Sequence, residues 1–156
     1  MKLTPLLVEE ASKQGFTHRL DFSYKDIPAG IANNTAQVWT PAGLPAGTIV
    51  YATYLILVTP FQNTADTAFN SDTVSFGDTG SATRFISAVE LNANGTFITD
   101  AYQTEKNQLY TTADSLKLTL NSMSGKSVSN LNRGQAFILL RVGNENRAAI
   151  IDTQGP

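Results

Sequence analysis

Asp78-Thr79-Gly80-Ser81 is the stretch that comes nearest to spelling a reactive group. It matches the D-T-G-S/A signature of aspartic proteases. There an Asp on a tight turn shares one proton with a second Asp, supplied by another lobe or a dimer partner, because two adjacent carboxylates cannot both ionise. Such a site wants large apolar residues just before the Asp, and Ser75, Phe76 and Gly77 stand there instead. It also wants a supporting apolar pair followed by Gly, which the sequence does not supply convincingly. Asp and Gly also suit a tight reversal on their own. The expectation is a structural turn, with an aspartic-protease-like enzyme at Asp78 as the remote alternative.

The other chemical residues read in the same way. His18 is the sole histidine and lies on the apolar side of an alternating segment. A triad needs a nucleophile and an orienting acid around it, and none is arranged in the sequence. A half-buried core histidine is expected. Gly125-Lys126-Ser127 resembles the end of a phosphate-binding loop, but Leu120 occupies the place of the required first glycine. Asp66, Asp72 and Asp78 have oxygens to offer calcium, yet the EF-hand spacing and its closing Glu are missing. They are expected to be solvated loop carboxylates. Trp39, Tyr24, Tyr51, Tyr54, Tyr102 and Tyr110 are the rings a sugar-binding face would use, and packing residues otherwise. No catalytic residue, metal ligand or cofactor is assigned.

Whatever the chain does must be positioned by one domain. At 156 residues and 42% apolar content it can fill a single core. Charged residues make up only 15%, against roughly 25% in ordinary soluble domains. Thr, Ser, Asn, Gln and Gly fill the gap, giving a neutral polar surface. With net charge −2 and no Lys/Arg cluster, direct nucleic-acid binding is not expected. The absence of cysteine excludes a disulfide framework, a thiolate zinc site and a cysteine nucleophile. The opening MKLTPLLVEEASKQG does not read as a signal peptide, because Leu6–Val8 is too short an apolar piece and Glu9 and Glu10 follow at once. No run reaches the ~18 apolar residues of a membrane helix.

Thr48 to Phe61, TIVYATYLILVTPF, is the longest apolar run. Its β-branched and aromatic content, with Gly47 before it and Pro60 closing it, predicts a buried strand, with a buried helix as the rival. Phe16 to Tyr24 alternates and predicts a half-buried strand. Gln37–Trp39, Asp72–Phe76, Thr112–Asn121, Gln135–Val142 and Ala148–Asp152 also read as strands. Arg84–Leu91 is ambiguous between a helical turn and an irregular strand, and Asn94-Gly95 is a hairpin signal. Thr4 and Pro5 suit the start of a short helix ending at Gly15, with an extended arm as the alternative. The whole predicts an all-β fold, an antiparallel β-sandwich or jelly roll over residues 16–156, preceded by an N-terminal arm or short helix over 1–15.

Within Leu44 to Lys126, Pro45-Ala46-Gly47 opens the long apolar strand. Val74-Ser75-Phe76-Gly77-Asp78, Arg84-Phe85 and Asn94-Gly95 follow in order. This arrangement resembles small structural proteins of tailed-bacteriophage head gene clusters. The resemblance covers about half the chain and implies a capsid decoration, or cement, protein on the virion exterior, made in the host cytoplasm. It implies no catalysis and no cofactor. The implied partners are the major capsid protein and further copies of the chain, often as trimers, with neither nucleic acid nor membrane. Leu3, Leu6, Leu7 and Val8, an apolar group on a terminus, are the candidates for capsid or oligomer contact, together with Trp39. A carbohydrate-binding module of a fibre or adhesin is the alternative.

Overall fold

An extended apolar segment needs hydrogen-bonding partners on both edges and cover on at least one face. The computed structural model, which describes residues 1–6, 15–92 and 103–144, satisfies that need with antiparallel strands. They are β1 (Lys2–Pro5), β2 (His18–Ser23), β3 (Gln37–Trp39), β4 (Gly43–Leu44), β5 (Thr48–Gln62), β6 (Asp72–Asp78), β7 (Ile86–Glu90), β8 (Gln103–Tyr110), β9 (Asp114–Ser122) and β10 (Arg133–Asn144). One sheet runs β1-β2-β10-β5-β8 and the other β3-β9-β6-β7, with β4 also on β9. The all-β antiparallel sandwich expected from the strand pattern is the fold. Among the described residues no helix is long and apolar enough to cross a membrane.

The pairings nest. β6 pairs with β7, β5 with β8, β3 with β9 and β2 with β10, all antiparallel. Successive nested pairs fall alternately in the two sheets, so the chain behaves as one long hairpin rolled on itself. Alternation then sends one set of side chains inward from each sheet. The first sheet contributes Leu20, Phe22, Val50, Leu55, Leu57, Phe61, Ala136, Ile138 and Leu140 to the core. The second contributes Val74, Phe76, Ile86, Val89, Leu116, Leu118 and Leu120. Each such burial stabilises by about 1.5–3 kcal/mol before entropy is counted.

Two local expectations are corrected and one open choice is resolved. Pro60 does not close β5, which runs on to Gln62. Thr59 pairs with Gln135 and Gln62 with Arg133, with register shifts between them, and among the described residues β8 pairs β5 no further than Tyr54. Pro60 therefore falls where the ladder is already broken, and its missing N–H costs nothing. Gly134 lies in the same break with φ +145, and a Cβ there would sit 2.4 Å from the Phe61 ring. Thr4 and Pro5 do not start a helix. They belong to β1, opposite Arg19 and His18. An isolated helix this short is marginal, whereas the sheet edge accepts the backbone and lets Leu3 pack against the core. Arg84–Leu91 resolves as the irregular strand β7, with Ala88 at φ +47 and its N–H donating to the buried Ser75 hydroxyl. The Asn94-Gly95 hairpin and the Ala148–Asp152 strand lie outside the described residues.

Candidate functional site

The Asp78 turn is built from backbone outward. Gly77, next to last in β6, lies so close to the return of the chain that a Cβ would sit 2.0 Å from the Ser81 carbonyl oxygen. The Asp78 N–H donates to that oxygen at 2.9 Å, and the Ser81 N–H donates back to Asp78 Oδ1 at 2.7 Å. Oδ2 accepts from Arg84 Nε and, at 2.6 Å, from the Tyr110 hydroxyl. Tyr110 belongs to β8 and Asp78 to β6, so one carboxylate ties the two sheets together. Its side chain is fully buried. Burial pushes the Asp78 carboxyl up, but the Arg84, Tyr110 and Ser81 hydrogen bonds and the Arg84 charge outweigh it and hold the group below the ordinary carboxylate range. Burial and the bond to Asp78 push the Tyr110 phenol up in turn. This carboxylate is an acceptor already engaged by three donors. Arg84→Met is expected to cost about 2–3 kcal/mol in urea denaturation, because Asp78 stays buried without its cation while water reaches the half-buried arginine site in part. Wild-type stability in that variant would show that the pair carries nothing.

The side of the first sheet that faces away from the core carries a second apolar layer. In register across it stand Arg19, Leu139 and Tyr54, then Asp21, Phe137 and Ile56. Arg19 lies 3.9 Å over the Phe137 ring and forks onto Asp21. Phe16 stacks on Tyr54 with centroids 6.2 Å apart, and Arg141 lies 5.7 Å over Tyr51. Leu139 is only 7% exposed although it stands outside the core cluster, and Val58 is 40% exposed. A sugar-stacking face needs open ring faces. Here Phe137 and Tyr51 already lie beneath guanidinium groups.

Of the contact candidates, Leu3 is half-buried against the chain's own core together with Met1. The Met1 ammonium bonds Asp26 at 3.1 Å. Leu6 is half-buried, and its N–H donates to the Thr17 carbonyl. Leu7 and Val8 lie outside the described residues. Trp39 sits on β3, at the edge of the second sheet, half-buried against the core.

No family model matches this sequence, and no curated protein matches it. Among solved structures, a chain of the "Cyanophage Pam1 capsid asymmetric unit" is similar in fold. The TM-score is 0.51 and the identity 21%, over 80% of this chain and 78% of that one. The likeness is one of fold.

The three spaced aspartates do not converge. Asp66 pairs with Lys126, Asp78 with Arg84, and Asp72 lies alone at 1% exposure. The expectation of solvated loop carboxylates is corrected for Asp72 and Asp78, because both sit on β6 rather than in loops. His18 is the half-buried histidine expected, with its Nδ1 2.9 Å from the Thr17 hydroxyl, and burial lowers its pKa. The sequence did not reveal the carboxylate that lies beside Asp72. Glu90, on β7, accepts from the Asp72 and Asn92 N–H groups, both at 2.8 Å, and from the Ser71 hydroxyl. The acidic end of an apolar strand was the available signal, and the ambiguity over Arg84–Leu91 obscured it.

Proposed function

We propose that this chain is a structural component of a phage virion, a decoration protein that attaches to the capsid shell and associates with copies of itself. The observation that carries this reading is the shared fold with a chain of the Pam1 capsid asymmetric unit across four-fifths of the sequence. The nested pairing supports it. The order β2-β10-β5-β8 against β3-β9-β6-β7 fits the wrapping expected of a jelly roll, an architecture recurrent in viral capsid domains. The Pro-Ala-Gly and Gly-Asp turns behind the phage-head resemblance open β5 and end β6. The engaged Asp78 carboxylate supports a non-catalytic role, and no reaction is assigned to the chain. Jelly rolls also serve as lectins, so sugar binding is the outcome to set against this one.

The test is cosedimentation of the purified protein with expanded, empty phage heads. Binding is expected to saturate at a fixed number of copies per head, since multivalent attachment turns modest contacts into firm ones. Absence of binding to heads, with binding to a host polysaccharide, would replace this reading with the carbohydrate-binding one.

A further inference from the structure

Where β2 ends and β10 begins, the first sheet opens into a cleft of about 340 Å³. It is lined by Ser23, Tyr24, Lys25, Thr59, Arg133, Gly134 and Gln135. Gln135 stands in register between Ser23 and Thr59. The register shifts on either side of Gln135 turn this end of β10 out of the regular ladder, and such irregularities re-aim side chains. Lys25, Arg133 and Gln135 are exposed. Arg19, Arg84 and Lys126 each have a carboxylate partner, but Lys25 and Arg133 have none among the described residues. The nearest candidate, Asp26, is committed to the Met1 ammonium and to Ser23.

We propose that this cleft binds a glutamate or aspartate side chain presented by an extended, acidic peptide segment of a partner protein. Arg133 offers the planar fork that matches a carboxylate, and Lys25, also in the lining, adds a second charge. Tyr24, Thr59 and Gln135 add neutral donors. The volume far exceeds that of a lone small anion, given about 30 Å³ for a water, so there is room for flanking peptide. Val58, the residue before Thr59, is 40% exposed and gives a neighbouring apolar side chain a place to rest. The site stands whether or not the protein is a virion component.

The test is an amide-resolved NMR titration of the full chain with a short acetylated peptide alternating Glu and Val. Saturable shifts are expected at Ser23–Lys25, Thr59 and Arg133–Gln135. Affinity is expected to fall about tenfold for the Gln/Val counterpart, and about tenfold in a Lys25→Gln, Arg133→Gln double variant. Lys106→Gln, away from the cleft, is expected to bind like wild type. Shifts scattered elsewhere, equal binding of the Gln/Val peptide, or an undiminished double variant would overturn the site. Inorganic phosphate binding as tightly as the acidic peptide would overturn the assignment to a peptide.

Discussion

Leu57→Asp is expected to yield no cooperatively folded protein. Leu57 is 4% exposed and faces the core from β5, opposite Ala136 of β10. The substitution removes about 1.5–3 kcal/mol of apolar burial. It also places an unpaired carboxylate in the core, at several kcal/mol more. A domain of this size has about 5–15 kcal/mol in all. No local rearrangement relieves the charge, because β10 holds this part of β5 in register and Leu57 lies within the core cluster. The neighbouring Val58→Asp is the matched control. Val58 is 40% exposed, and a charge there is expected to change stability by no more than about 0.5–1 kcal/mol. Two adjacent residues with opposite outcomes test the alternation directly, since a one-residue slip would exchange them. Circular dichroism and a thermal melt suffice. A soluble Leu57→Asp protein that melts cooperatively would show that this face of β5 is not buried.

Much of the fold was legible because side-chain alternation is a physical signature of a half-buried strand. Leu20 and Phe22 in β2, Leu116, Leu118 and Leu120 in β9, and Ile138 and Leu140 in β10 all point where the pattern put them. β8 was not foreseen. Its sequence, QTEKNQLY, has no apolar alternation, because an edge strand need not bury a full side-chain row. β1 was misread because Thr4-Pro5 is good chemistry for a helix start, and only the partner β2 reveals the edge. That pairing also places part of the expected arm in the domain itself, since residues 2–5 form a sheet edge with Leu3 on the core. At the candidate sites the turn at Asp78 was legible and its partners were not. Arg84 is six residues on and Tyr110 comes from the other sheet, so their convergence depends on tertiary closure. The cleft at Lys25 and Arg133 is of the same kind, joining residues far apart in sequence.

Asp72→Asn is expected to flatten the dependence of stability on pH. Asp72 is 1% exposed, and neither carboxyl oxygen has a hydrogen-bond partner among the described residues. Burial first, and then the Glu90 charge, push its pKa from 3.8 up to about 8, against a smaller downward pull from the Asn92 side chain. Three donors reach the Glu90 carboxylate, whereas burial favours the protonated form of Asp72. The folded state therefore binds a proton that the unfolded chain has released throughout the interval between those two values. Stability contributed by this group is complete below 3.8, declines as pH rises, and levels off above about 8. The slope is about 1.4 kcal/mol per pH unit, and the whole interval amounts to about 6 kcal/mol. His18 acts with the opposite sign. Its pKa is lowered from 6.5 by burial, so its contribution rises with pH and is complete above that value. The lowered carboxylates Asp26 and Asp78 lose their contributions only as pH falls below 3.8. Between pH 6.5 and 8 the decline thus belongs to Asp72. The asparagine variant carries no proton to lose there, and its buried amide costs about 1–3 kcal/mol at every pH. Its denaturation free energy is expected to start below that of wild type in mild acid, stay level, and exceed it by pH 8. Parallel curves for the two proteins from pH 6.5 to 8 would show that Asp72 is ionised in the fold and that a charge is held beside Glu90.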